Sequence, residues 1–111
     1  MSRRFPTALE DARRAAREVE NATGSARPLG PLHGVPFALK DIIDVAGVPT
    51  TAHSRILADN VAERDALVTT RLRDAGGIVI GKLSTHEFAL GGPSFDLPWP
   101  PARNPWRRRA I

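Results

Sequence analysis

Leu9, Ala12, Ala16 and Val19 recur at spacings of three, four and three, which places them on one face of a helix. Glu10, Asp11, Arg14, Arg17 and Glu18 occupy its remaining surface. Thr7 and Glu10 read as a capping box ahead of it, Thr7 accepting from the third helical amide and Glu10 reaching back to the Thr7 amide. Asn21 and Gly24 end the helix, and residues 24–34, rich in Gly, Pro and Ser, predict a connecting loop. Val35-Pro36-Phe37-Ala38-Leu39 predicts a buried strand, with Pro36 near its start or at an edge because proline cannot donate to a ladder. A turn is expected over Asp44 to Pro49, where Gly47 supplies an unusual backbone angle, and Thr50 to Asn60 reads as polar and irregular. Asp65 to Ala75 predicts a second helix with Leu67, Val68 and Leu72 on its apolar side and Gly76-Gly77 as its C-terminal cap. Ile78-Val79-Ile80 is a wholly apolar run of the kind found in strands covered on both faces. Strand, helix and strand in this order predict one crossover unit of a parallel or mixed sheet, hence an α/β fold.

After Glu87 the pattern breaks. Gly91-Gly92-Pro93, Pro98, Pro100-Pro101 and Pro105 exclude a regular helix and predict an extended arm held down by Leu97, Trp99 and Trp106. Two helices and two strands make a thin core for 111 residues, so the chain reads as the N-terminal portion of a domain, incomplete as it stands.

Composition narrows the function classes. There is no cysteine, which excludes disulfides and thiolate–zinc sites. No apolar run approaches the ~20 residues of a membrane span. The start, Met1-Ser2-Arg3-Arg4-Phe5-Pro6, lacks the apolar stretch of a secretory signal. A soluble, cytoplasmic protein without membrane association is the expectation. The net charge of +4 is a property of the ends: six arginines face four acids in residues 1–30, and four arginines face none in residues 101–111. Residues 31–100 carry six basic and eight acidic side chains. With aromatics at 5%, this distribution argues against nucleic-acid binding, which calls for basic residues spread over one face.

Sixteen residues are basic, yet lysine occurs only as Lys40 and Lys82, each close behind an apolar strand pattern. In an extended segment Lys40 shares a face with Ala38 and Pro36, while Phe37, Leu39 and Asp41 point the other way. Such small neighbours predict a partly dry recess. Desolvation disfavours an ammonium and lowers its pKa from ~10.4, the condition under which a lysine acts as a general base. The alternative is a strand-end lysine with its amine in water. His33, His53 and His86 lack the close spacing of a helical metal site. Ser54, Ser84 and Ser94 lie in no Gly-x-Ser-x-Gly elbow and read as turn or cap residues. No metal and no organic cofactor is implied.

Gly30-Pro31-Leu32-His33-Gly34-Val35-Pro36-Phe37-Ala38-Leu39-Lys40-Asp41 resembles the lysine segment of the amidase signature family. Val45-Ala46-Gly47-Val48-Pro49-Thr50-Thr51-Ala52 resembles the stretch that follows it there. Ala75-Gly76-Gly77-Ile78-Val79-Ile80-Gly81-Lys82, His86-Glu87-Phe88-Ala89 and Arg103-Asn104-Pro105-Trp106 continue the similarity in the same order. Five segments in register over residues 28–106 make the resemblance specific. It divides the partial domain 1–111 into an N-terminal helical segment (1–27), the matching region (28–106) and a divergent tail (107–111).

The resemblance implies a mixed sheet covered by helices, of which this chain carries the N-terminal portion. It also implies hydrolysis of carbon–nitrogen amide bonds by a serine nucleophile, a second serine in a cis peptide, and one lysine. Lys40 takes the lysine's place by that resemblance. Its neutral amine is expected to draw a proton through the bridging serine as the nucleophile attacks, and backbone amides to hold the oxyanion. Ser54, Ser84 and Ser94 match neither serine, so the expectation is a chain that ends before both and is inactive alone. The implied partner is a small-molecule amide substrate, and a homodimer is compatible with the chain. Two alternatives stay open: a fragment like the A subunit of a tRNA-dependent amidotransferase, and a non-catalytic interaction module.

Overall fold

The computed structural model of the chain describes residues 5, 7–22, 29–92, 99 and 103–106. Its elements are α1 (Ala8–Ala22), β1 (Pro36–Lys40), α2 (Leu67–Asp74) and β2 (Ile78–Leu83), with single 3-10 turns at Arg55–Leu57 and Glu87–Ala89. Among the described residues, β1 and β2 pair in parallel as a two-stranded sheet, with α2 in the crossover between them. Pro36 is the first residue of β1, where its missing N–H costs the ladder least.

Helix α1 forms where the spacing predicts and buries a different stripe. Ala15 is buried and Ala8 packs against the core, whereas Leu9 and Val19 are 60% and 45% exposed. The helix packs against β2. Alanines on the facing side let the two backbones approach closely, and the larger side chains are turned outward. Helix α2 shows the same division: Leu72 reaches the core, while Leu67 and Val68 are exposed. The innermost residue of α2 is Thr69, whose hydroxyl donates to the Asp44 carbonyl at 2.8 Å.

The end of α2 is closed by a Schellman motif. Gly76 N–H donates to Arg73 O at 2.8 Å and Gly77 N–H to Leu72 O at 3.0 Å, with Gly76 at φ +92°. The turn at residues 31–34 docks on this cap, Leu32 N–H donating to Ala75 O and Gly34 N–H to Gly76 O. Contact is close enough that a Cβ on Gly30 would clash with the Ala75 carbonyl group. Gly30→Ala is therefore expected to lower stability by about 2–3 kcal/mol, the cost of overpacking against backbone that cannot retreat. Urea unfolding of the two chains measures it, and an unchanged midpoint would contradict this packing.

Phe5, Leu39, Val45 and Val79 form the core, flanked by Ala8, Phe37, Ile43, Val48 and Leu72. The turn after β1 is as expected, with Gly47 at φ +73°. The polar run at 50–54 is not: Thr50, Thr51, Ala52, His53 and Ser54 are all buried. The expected arm lies largely outside the described residues, as do Ser94, Leu97 and the tail 107–111. Within the described part Trp99 meets His53, but Trp106 is 93% exposed, against the expectation that it is buried. No helix among the described residues is long and apolar enough to cross a membrane.

Candidate active site

Lys40 closes β1, in register with Leu83 of β2. Side chains alternate along β1 as the spacing predicts, with Leu39 buried and Lys40 exposed. The described residues form no dry recess around Lys40, which is exposed. Its face of the sheet is open at this end, and Leu83 beside it is 48% exposed. Among the described residues no side chain covers the Lys40 amine or pairs with it.

The desolvated lysine is the other one. Lys82 is 5% exposed, and its ammonium donates to Thr50 Oγ1 at 2.9 Å and meets Asp41 Oδ1 at 3.0 Å. Asp41 Oδ2 accepts from the Thr51 hydroxyl, and the Thr51 N–H points at the same carboxylate. A buried charge needs this degree of pairing to be tolerated. The network explains why a run as polar as residues 50–54 lies inside. Its side chains satisfy an ion pair, and its backbone joins β1 through Ala52 N–H to Asp41 O at 2.9 Å.

Ala52 and His53 follow with φ of 48° and 58°, consecutive left-handed residues at the edge of this network. Such conformations cost of order 1–3 kcal/mol each outside glycine and persist where neighbouring contacts over-determine them. Here Phe88 N–H donates to Ala52 O at 2.8 Å, and His53 N–H donates to Thr51 Oγ1 at 3.1 Å. The His53 ring lies 5.6 Å from that of Trp99, with Nε2 3.1 Å from Trp99 O. Asp41, Thr51, His53, Lys82, Ser84 and Trp99 border a recess of about 30 Å³, room for a water but not for an amide substrate.

The other candidates fall into structural places. Ser54 is fully buried and caps the 3-10 turn at Arg55–Leu57, accepting from Ile56 N–H, as a cap reading expects. His33 joins its turn to α1, with Nε2 3.0 Å from Ala15 O and 3.7 Å from Glu18 Oε2. His86 precedes the 3-10 turn at Glu87–Ala89. A larger recess, about 440 Å³, opens between α1 and the end of α2. Its two arginines are already engaged, Arg14 with Asp11 and Arg73 with Asp65. The structure thus separates the two lysines: one locked into a buried network, the other on an open face with no partner among the described residues. Sequence reasoning missed Asp41, Thr50, Thr51 and Lys82 as a unit. The available signal was the acid following Lys40 and the Thr-Thr pair, both inside the motif segments.

A family model described as Amidase matches residues 4–111. The chain belongs to the Amidase family. Over 97 residues it is 45% identical to the A subunit of the glutamyl-tRNA(Gln) amidotransferase of Salinispora tropica, an alignment covering 87% of this chain and 20% of that protein. Over 99 residues it is 48% identical to an amidase of Pseudomonas putida, covering 87% of this chain and 21% of the relative. The structure superposes on the native peptide amidase of Stenotrophomonas maltophilia with a TM-score of 0.66 at 39% identity, over 78% of this chain and 17% of that one. This amidase-family chain therefore spans about a fifth of the length of the curated relatives it matches. The α/β architecture of helices around a small parallel sheet is that of amidase signature enzymes, matched over part of their length.

Proposed function

We propose that this chain is the lysine-bearing part of an amidase-type hydrolase and that Lys40 is its proton acceptor. The observation that carries the reading is the unequal treatment of two lysines. The segment that resembles the family's lysine segment, Gly30 to Asp41, carries the one lysine amine left without a partner among the described residues. An acceptor amine must be free to reach the group it serves, and the Lys82 amine is held in the core by Asp41 and Thr50. The Lys40 amine is exposed and has no such partner among the described residues. In the complete site the Lys40 amine takes a proton through a bridging serine in a cis peptide. The nucleophilic serine then adds to the amide carbonyl and backbone N–H groups stabilise the oxyanion; the proton held at Lys40 passes back through the bridging serine to the leaving nitrogen, the C–N bond breaks, and water, deprotonated by the same route, hydrolyses the acyl-serine ester. Ser54 is committed to its cap and is neither of these serines.

Two features of the surface fit a chain that works against further polypeptide. Lys40 stands on an open face, and Ile42, Ile80 and Leu83 near it are 43%, 46% and 48% exposed. Covering that face would supply the desolvation that Lys40 lacks here. On this reading the isolated chain has no amidase activity. The test is a hybrid in which this chain replaces the matching segment of the Pseudomonas putida amidase. The hybrid is expected to hydrolyse amides, and Lys40→Ala is expected to abolish that activity while the isolated chain shows none. Turnover by the isolated chain would refute the reading. Glutamine-dependent activity with a tRNA-bound acyl group, in place of simple amide hydrolysis, would favour the amidotransferase reading.

A further inference from the structure

The register of the sheet skips one residue. Phe37 pairs with Val79 and Ala38 with Gly81, so Ile80 is supernumerary. In an unbroken strand Val79 and Lys82, three positions apart, point to opposite faces. The bulge brings both to the core side, paired with Phe37 and Leu39. That rotation is what delivers Lys82 to Asp41. Asp41 is itself fixed through its backbone, with its N–H donating to Leu83 O at 2.8 Å and its carbonyl accepting from Ala52 N–H. Lys40, one residue earlier, projects to the other face.

We propose that Asp41 and Lys82 are positioning residues for Lys40. Their buried ion pair, set up by the bulge at Ile80, fixes the rotation of the end of β1 and commits the Lys40 amine to the open face. The pair does a second thing. Asp41 is the neighbour of Lys40 in sequence, and a carboxylate free to turn would be within reach of pairing with the Lys40 amine. Lys82 and Thr51 occupy that carboxylate on the core side instead. The proposal rests on the reading of Lys40 as proton acceptor, and its test separates the two.

In the intact chain, brief acetylation with acetic anhydride is read lysine by lysine. Lys40 is expected to react about tenfold faster than Lys82 or more, because Lys82 is exposed only through local opening. Asp41→Asn is expected to remove most of that difference. Equal rates in the unmodified chain would overturn the proposal whatever the role of Lys40. In the hybrid described above, Asp41→Asn and Lys82→Met are each expected to lower kcat about tenfold with KM nearly unchanged, and Asp41→Glu to recover part of the loss. Full kcat in both variants, with activity lost in Lys40→Ala, would overturn the positioning role and leave the acceptor reading intact. Retained activity in Lys40→Ala would remove the acceptor reading itself. Should a variant fail to fold in the hybrid, nuclear Overhauser contacts between the Lys40 methylenes and the Leu83 methyls report the rotation in the intact chain. They are expected in the unmodified chain and lost in Asp41→Asn, and their persistence there would overturn the proposal.

Discussion

Alanine in place of Lys40, in an amidase-length protein carrying this segment, is expected to lower kcat by about a thousandfold, within the range contributed by a positioned acid–base group. The size follows from the absence of a substitute. The chain has two lysines, and the second is consumed by Asp41 and Thr50 in the core. Its fourteen arginines offer no help, because a guanidinium does not give up its proton in a protein. Lys40→Arg should therefore be nearly as damaging as Lys40→Ala, although it keeps the charge. Steady-state kinetics on a simple amide decide the matter. A loss below about tenfold in Lys40→Ala would mean that the proton goes elsewhere.

Lys82→Ala is expected to destabilise the intact chain by about 3–5 kcal/mol, because it leaves the Asp41 carboxylate buried without its counter-charge. That is a large share of the stability of an ordinary domain. Asp41 is mostly covered, its side chain 15% exposed against 5% for Lys82, so water replaces the lost ammonium poorly. The double variant Asp41→Asn with Lys82→Met should cost much less than Lys82→Ala, since no unpaired charge remains. Urea midpoints for these variants and the parent form the measurement. A double variant as damaged as Lys82→Ala would show that packing, and not charge, is what Lys82 provides there.

Much of the fold was legible because its signals are local. The helical spacing of α1, the apolar runs of β1 and β2, and Gly76-Gly77 after α2 each specify an element without reference to the rest. The parallel crossover followed from their order. Which face of a helix is buried is not a local property. Leu9 and Val19 fit the apolar stripe of α1, yet close approach to β2 selects the alanines. The polar stretch at 50–54 read as irregular surface because its burial depends on partners ten and thirty-two residues away, Asp41 and Lys82.

The candidate site was legible through its motif and misread in its environment. Alternation placed Lys40 opposite Leu39, and that is where it lies. The dryness inferred from small neighbours did not follow, because desolvation is set by whatever covers a face and not by the residues that share it. The burial of Lys82 was invisible for another reason. A period-two pattern assumes one residue against one, and an extra residue in β2 breaks that count without any mark in composition.

The surplus residue at position 80 makes β2 tolerant of length change in one direction only. Losing that codon would leave Val79 and Lys82 two positions apart, and a plain ladder would still set Phe37 against Val79 and Leu39 against Lys82. Gaining a codon there has no such outlet. The strand would have to swell a second time, or the ammonium would swing round beside Lys40, leaving two like charges on one side of the sheet and an orphaned carboxylate on the other. Drift in the length of this strand is therefore a one-way valve: shortening is absorbed by the pairing, and lengthening strikes the core.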